Sequence, residues 1–251
     1  MILPITGIVH AFDAVVVAFC AWHIYSSYVK SGKKNLILKY FSLFFFFMAI
    51  FQLIMGIGHL PLVLGMPEIF PAFFSWSYII GHIFLYVSMA YFIFVPSHIY
   101  FENSSFAKKF TKIYFYVIVL FGLVITAINI MNPLTTPYLD ASTGLTVFNV
   151  PEIVGKIIPL IALISWAPAA LLFIYKAIKL RGVTRSKSLL LGIGLIFVVI
   201  GGPLHDFARE LTQYLIADVL TLTGFLLLFW GIFIGEKKVG ESTETPQSEI
   251  V

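Results

Sequence analysis

The chain has 251 residues, of which 60% are hydrophobic, 17% aromatic and 11% charged; its net charge is +4 and its mean hydropathy +0.98. Soluble domains carry about 25% charged residues, and disordered chains combine low hydrophobicity with high net charge, so both classes are excluded. A bilayer span takes about 20 apolar residues, which leaves room for roughly seven spans with their loops.

Seven apolar runs are legible, at 4–29, 36–60, 72–100, 110–131, 152–178, 188–204 and 211–235. The first continues to Val29 with no A-x-A cleavage site, so it reads as a span and not as a removable leader. Ser31 to Lys34 is a polar turn, and Pro61 and Pro71 bracket a short hairpin. Glu102 to Lys112 is polar, and Asn132 to Pro151 is the longest connection. Pro203 is expected to end the sixth run, and Pro96 and Pro168 to kink theirs. Ten-residue stretches of alternating polarity are absent, which rules out a transmembrane barrel and leaves helices that satisfy their own backbone groups. The expected fold is all-α, a polytopic membrane protein with one seven-helix domain over 1–236 and a mobile tail over 237–251. Cys20 is the sole cysteine, which excludes an intramolecular disulfide and any cysteine-based zinc or iron–sulfur site.

Charge is distributed asymmetrically. Lys30, Lys33, Lys34 and Lys39 flank the first loop, Lys108, Lys109 and Lys112 the third, Lys176, Lys179, Arg181, Arg185 and Lys187 the fifth, and Lys237 and Lys238 follow the last span. That is 14 of the 16 basic residues on alternate loops; only Lys156 and Arg209 lie opposite. The positive-inside rule then predicts an outer N-terminus and a cytoplasmic C-terminus, in the plasma membrane. Basic residues at a membrane edge point to anionic lipid or an acidic protein and not to nucleic acid. The tail is too short for an output domain, so a separate protein partner is expected.

Ionisable groups inside a bilayer mark functional sites by default. At about 1.5 Å per residue, His10 falls ~9 Å and His82 ~6 Å from the middle of their spans, both in the outer half. His59 closes the second span and His205 follows Pro203, both at the outer surface; His23 and His98 lie on the cytoplasmic half. Four histidines from four helices therefore converge on the outer leaflet. Asp13 shares a face with His10, Asp206 neighbours His205, and Asp218 lies in the outer half of the last span.

Glycine precedes His59 and His82, and small residues let a flat ring lie against a helix. Two imidazoles at one depth hold a b-type haem, with Arg209 steadying a propionate and Phe73, Phe74, Trp76 and Tyr78 supplying walls. Two stacked haems are disfavoured. His10 and His23 stand ~220° apart around their helix, and His82 and His98 ~160°, so each pair points to nearly opposite sides. A copper or zinc site is a rival use of the same His10, His59, His82 and His205, ranked behind haem. His10, Asp13 and Asp218 also fit a proton relay between the first and last helices. Glu152 and Lys156, four apart, are read as a structural ion pair, and Trp22, Trp76, Trp166 and Trp230 as partly interfacial.

The stretch Asp218-Val219-Leu220-Thr221-Leu222-Thr223-Gly224-Phe225 resembles the retinal helix of microbial rhodopsins, which are also seven-helix proteins with an outer N-terminus. Leu222 stands where that family carries its Schiff-base lysine, and no other lysine lies in the middle of a span, so no retinal is expected. Tyr28 to Lys34 followed by Tyr40-Phe41-Ser42-Leu43 resembles the first loop of seven-helix prokaryotic sensor modules, which implies a receptor. The leading expectation is an electron-transfer subunit holding haem b, or a metal, in the outer leaflet, performing no bond chemistry of its own. The alternatives are a stand-alone receptor for a small ligand or protons, and a transporter or pore subunit.

Overall fold

The computed structural model describes residues 4–234, except residues 102 and 209 and the side chain of Asp206. Arg209 and the 237–251 tail thus lie outside the described residues. The elements are α1 (Ile5–Lys30), α2 (Leu36–Ile57), the single turn α3 (Leu60–Val63), α4 (Phe70–Phe92), α5 (Phe94–Tyr100) and α6 (Ser105–Met131). A two-stranded hairpin, β1 (Tyr138–Leu139) and β2 (Thr146–Val147), precedes α7 (Glu152–Lys179), α8 (Gly182–Phe207) and α9 (Leu211–Phe233). Seven helical segments are long and apolar enough to cross a bilayer, α2 with α3 forming the second and α4 with α5 the third. The protein is an all-α, multi-pass membrane protein.

Helix ends follow local chemistry. Gly32 and Lys33 take positive φ, which turns the chain sharply after α1. Asn35 caps α2, its Oδ1 accepting from the N–H groups of Ile37 and Leu38 at 3.1 and 3.2 Å. Ser104 caps α6 through Ala107 N–H at 3.2 Å. The fourth and sixth helices begin at Ser105 and Gly182, ahead of the expected 110 and 188. Both continue through lysines and arginines whose aliphatic stems tolerate the membrane edge. Pro96 lacks the N–H that would bond Phe92, and the third span breaks at Ile93. Pro203 does not end α8, which runs four residues further to Phe207; its neighbours in the bundle sustain the local geometry. Glu152 and Lys156 form the expected exposed ion pair.

The helices pack as a ring in chain order, α1–α2–α4–α6–α7–α8–α9, with α9 returning to α1 and α4 also touching α7. Two close crossings set its geometry. A Cβ on Gly7 would stand 2.7 Å from the His59 side chain, and one on Gly56 3.3 Å from the Ala11 nitrogen, so α1 and α2 nearly touch. Likewise a Cβ on Gly194 would lie 2.9 Å from the Gly224 carbonyl oxygen, and one on Gly224 2.7 Å from that of Gly194. Small residues at helix crossings are how membrane helices gain contact without a hydrophobic drive between them. Inside the ring, Phe44, Phe45, Phe92, Trp166 and Phe225 interlock, all buried, with Phe44 ring centroids 4.9 Å from Phe92 and 6.0 Å from Trp166. Phe12, Phe19, Leu120 and Leu171 face outward, where lipid would cover them.

The 132–150 connection is not a slack loop. Its β1–β2 turn is tied by Asp140, whose carboxylate accepts from Ser142 N–H, Ser142 Oγ and Thr143 Oγ1 at 2.8–2.9 Å. Those donors hold the Asp140 carboxyl below the ordinary carboxylate range. The hairpin docks on the helices: Ile5 N–H donates to Gly144 O at 2.9 Å and Thr146 N–H to Thr6 Oγ1 at 2.9 Å. Leu134, Leu145 and Phe148 are buried beneath it.

Two outcomes follow. Gly194→Val or Gly224→Val forces α8 and α9 apart and costs about 1–3 kcal/mol, read as a lower thermal midpoint in detergent. Gly202→Ala, whose Cβ would meet nothing within 4 Å, leaves that midpoint unchanged. A depressed carboxyl contributes stability above its ordinary value of 3.8 and loses it as the pH falls through the lowered value. The protection of amides over 138–147, measured against their intrinsic exchange rates at each pH, should therefore fall at acid pH, and Asp140→Ala should remove that loss of protection.

Candidate functional site

An internal cavity of about 70 Å³ opens in the half of the ring covered by the hairpin. A water needs roughly 10–15 Å³ of such space, so a handful of waters or a single ion fits. Its walls come from α1, α2, α4, α7, α8 and α9, and Phe148 of the hairpin segment closes one end. Trp166 and Phe225, from the interlocked aromatic layer, line its deep end.

Three of the four outer histidines line this cavity, and in each a protein oxygen lies beside one ring nitrogen. The close α1–α2 crossing brings His10 to Gln52, with Nδ1 2.6 Å from Oε1. His82 Nδ1 lies 2.8 Å from the Tyr78 carbonyl oxygen one turn earlier in α4. A carbonyl oxygen only accepts, so each Nδ1 carries the proton and each Nε2 keeps its lone pair. His205 Nε2 lies 3.0 Å from Asp218 Oδ1 across the α8–α9 contact, at ion-pair distance but off the line of a hydrogen bond. His10 Nε2 and His205 Nδ1 are buried with no hydrogen-bond partner among the described residues, as are Trp166 Nε1 and Thr221 Oγ1 on the same cavity wall. Buried polar atoms in proteins are otherwise almost always paired. Four such atoms around one space mark it as a place for a polar guest, although the Trp166 N–H can only donate and so takes no part in holding a cation.

His10 is the centre of the group. Its ring centroid lies 6.0 Å from that of His205 and 6.4 Å from that of His59. Two imidazoles sharing one metal ion hold their centroids roughly 5–6 Å apart, given a metal–nitrogen bond of about 2.0–2.1 Å. His59 does not line the cavity. Its Nδ1 is 3.0 Å from the Met55 carbonyl and its Nε2 2.9 Å from Thr146 Oγ1, so both nitrogens are engaged and it acts as the latch for the hairpin. Among the described residues, no three His, Cys, Asp or Glu side chains already stand as a metal-binding group.

Asp13 is buried one turn further along α1, within electrostatic reach of Asp218. The glycines beside the histidines bring helices together and do not open a flat slot: a Cβ on Gly58 would meet Phe74 at 2.9 Å, and one on Gly81 would meet Met55 Sδ at 3.4 Å. Tyr78 lines the cavity and Phe74 packs on His59 at 4.8 Å, whereas Phe73 and Trp76 face outward. Trp166 is central and buried, unlike the outward Trp22, Trp76 and Trp230. His23 is exposed between Phe19, Phe229 and Phe233, and His98 Nδ1 is spent on the Phe94 carbonyl, so neither joins the outer group.

Sequence reasoning passed over Gln52, Thr6 and Thr146. Gln52 carried a usable signal, being an amide within an otherwise apolar run of Phe, Leu, Ile and Met. The threonines carried none, because their roles come from a contact 140 residues apart in the chain. No family model, curated protein or solved structure matches this chain.

Thr146→Val leaves the buried His59 Nε2 without its partner and should cost about 1–3 kcal/mol. The expected readout is faster amide exchange across 138–147 and 4–10, with the remaining helices unchanged.

Proposed function

We propose that this protein is a membrane-embedded electron-transfer subunit that binds a metal centre in the outer half of its bundle, served by a separate protein partner. One observation carries the reading: His10 and His82 line the same cavity, each with Nδ1 anchored on an oxygen, which keeps the lone pair on Nε2. Metal-ligating histidines are anchored in this way, because a fixed tautomer and ring orientation raise ligand basicity. His205 lies on the same cavity wall, with Nε2 3.0 Å from Asp218 Oδ1. A metal ion suits the cavity better than a b-type haem does. Small-molecule pockets run to about 300–1,000 Å³, and 70 Å³ would admit a macrocycle only after the walls moved apart. The aromatic layer at the deep end favours a closed centre over a path through the membrane.

Among the described residues, twelve lysines and arginines flank one set of helix ends and only Lys156 the other, which by the positive-inside rule favours an outer N-terminus with the hairpin on the outer side. With Cys20 replaced by alanine, a cysteine at Gly65 should react with impermeant reagent on intact cells, and one at Gly32 only after permeabilisation.

A second reading, a receptor for protons or a small ligand, is favoured by the buried Asp13 and Asp218 and the half-buried His205 beside Asp218. Metal analysis and visible absorption of the purified full chain separate the readings. The expected result is stoichiometric metal without a Soret band, with affinity lowered roughly tenfold or more in His10→Ala and His82→Ala. His23→Ala and His98→Ala should bind as the unaltered chain does. A Soret band lost in the same two variants would replace the ion with haem, and a colourless, metal-free protein would leave the receptor.

A further inference from the structure

We infer that the ion taken by this cavity is copper in the +1 state, bound by His10, His82 and the thioether of Met55; the inference rests on the metal-centre reading above. Three of the six methionines, Met48, Met55 and Met89, line the cavity. Met55 stands at the level of both histidines. His10 bonds Gln52 and Gly56 abuts Ala11, which places His10 beside the 52–56 turn of α2 from one side. On the other side, a Cβ on Gly81, the neighbour of His82, would lie 3.4 Å from Met55 Sδ. Met55 is buried between the two imidazole-bearing helices. Met48 and Met89 continue the thioether wall toward the deep end.

The donor set discriminates among metals. Zinc takes cysteine thiolate, imidazole and carboxylate, whereas thioethers and imidazole together suit monovalent copper. Burial adds to this. The energy needed to strip water from an ion grows with the square of its charge, so an apolar, lipid-surrounded cavity favours a monovalent cation over a divalent one. His10 Nε2, on a side chain that is 5% exposed and with no partner among the described residues, is the nitrogen already waiting for it.

The test uses the full chain in detergent, without oxygen, titrated separately with Cu(I) in ascorbate and with Zn(II), against bicinchoninate as competitor for copper. X-ray absorption at the metal edge then reports the donors. The expected result is one Cu(I) per chain with both nitrogen and sulfur shells. Met55→Leu, nearly isosteric and so compatible with folding, should lose the sulfur shell and weaken Cu(I) binding roughly tenfold or more. Met131→Leu, on the outer flank, should change nothing. Zinc bound through nitrogen and oxygen alone, indifferent to Met55→Leu, would overturn the copper assignment and keep the metal centre. Cu(I) bound equally well by Met55→Leu would overturn the role of the thioether. Binding of neither ion would overturn both readings.

Discussion

Hydrocarbon offers no hydrogen bonds, and that constraint organises the whole molecule. Each long segment must satisfy its backbone within its own helix, and each polar side chain must find its partner inside the ring. Most here do: His82 and His98 turn back on carbonyls of their own helices, Ser88 Oγ donates to the Phe44 carbonyl, and His59 reaches the hairpin. Against that background, the unpaired nitrogens of His10, His205 and Trp166 and the Thr221 hydroxyl stand out because they cluster around one space. Elsewhere the interior is closed by aromatic rings in contact.

The metal-centre proposal draws on this contrast. Among the described residues Ser97, Asn129 and Ser165 also carry buried atoms without a hydrogen-bond partner, but four such atoms share a single space only at this cavity. The anchoring oxygens of Gln52 and Tyr78 give the two histidines fixed tautomers before any ion arrives, so little reorganisation is required at binding. Close helix crossings at Gly7–His59 and Gly194–Gly224 hold the ring too tightly for its walls to spread easily.

Much of the fold was legible because membrane spans advertise themselves. Seven apolar runs separated by Lys, Pro and Gly clusters specify seven helices, with ends displaced by a few residues where helices extend through basic side chains. Depth was legible as well, since 1.5 Å per residue placed His10, His59, His82 and His205 in one half. What depth could not supply was azimuth. Which face of each helix turns inward depends on the neighbours, so the separation of His59 from the cavity, the central position of Trp166 and the contribution of Gln52 and Met55 emerge only from packing. Pro203 shows the same limit in reverse: a helix breaker by local rules, it sits within α8 because surrounding helices sustain it.

The bonds from the hairpin to Ile5 and Thr6 have a consequence for biogenesis. They join the first helix to residues about 140 positions later. While the chain is being made, the first three helices are threaded into the bilayer well before the hairpin exists. The histidine at the end of α2 therefore spends that interval without its threonine, and its cap arrives only with the fourth loop. A chain shortened before residue 144 would retain His10, His59 and His82 yet lack the hairpin that covers them. Completion of the chamber is thus a late, non-local event, timed by the order of synthesis and not by the formation of any single helix.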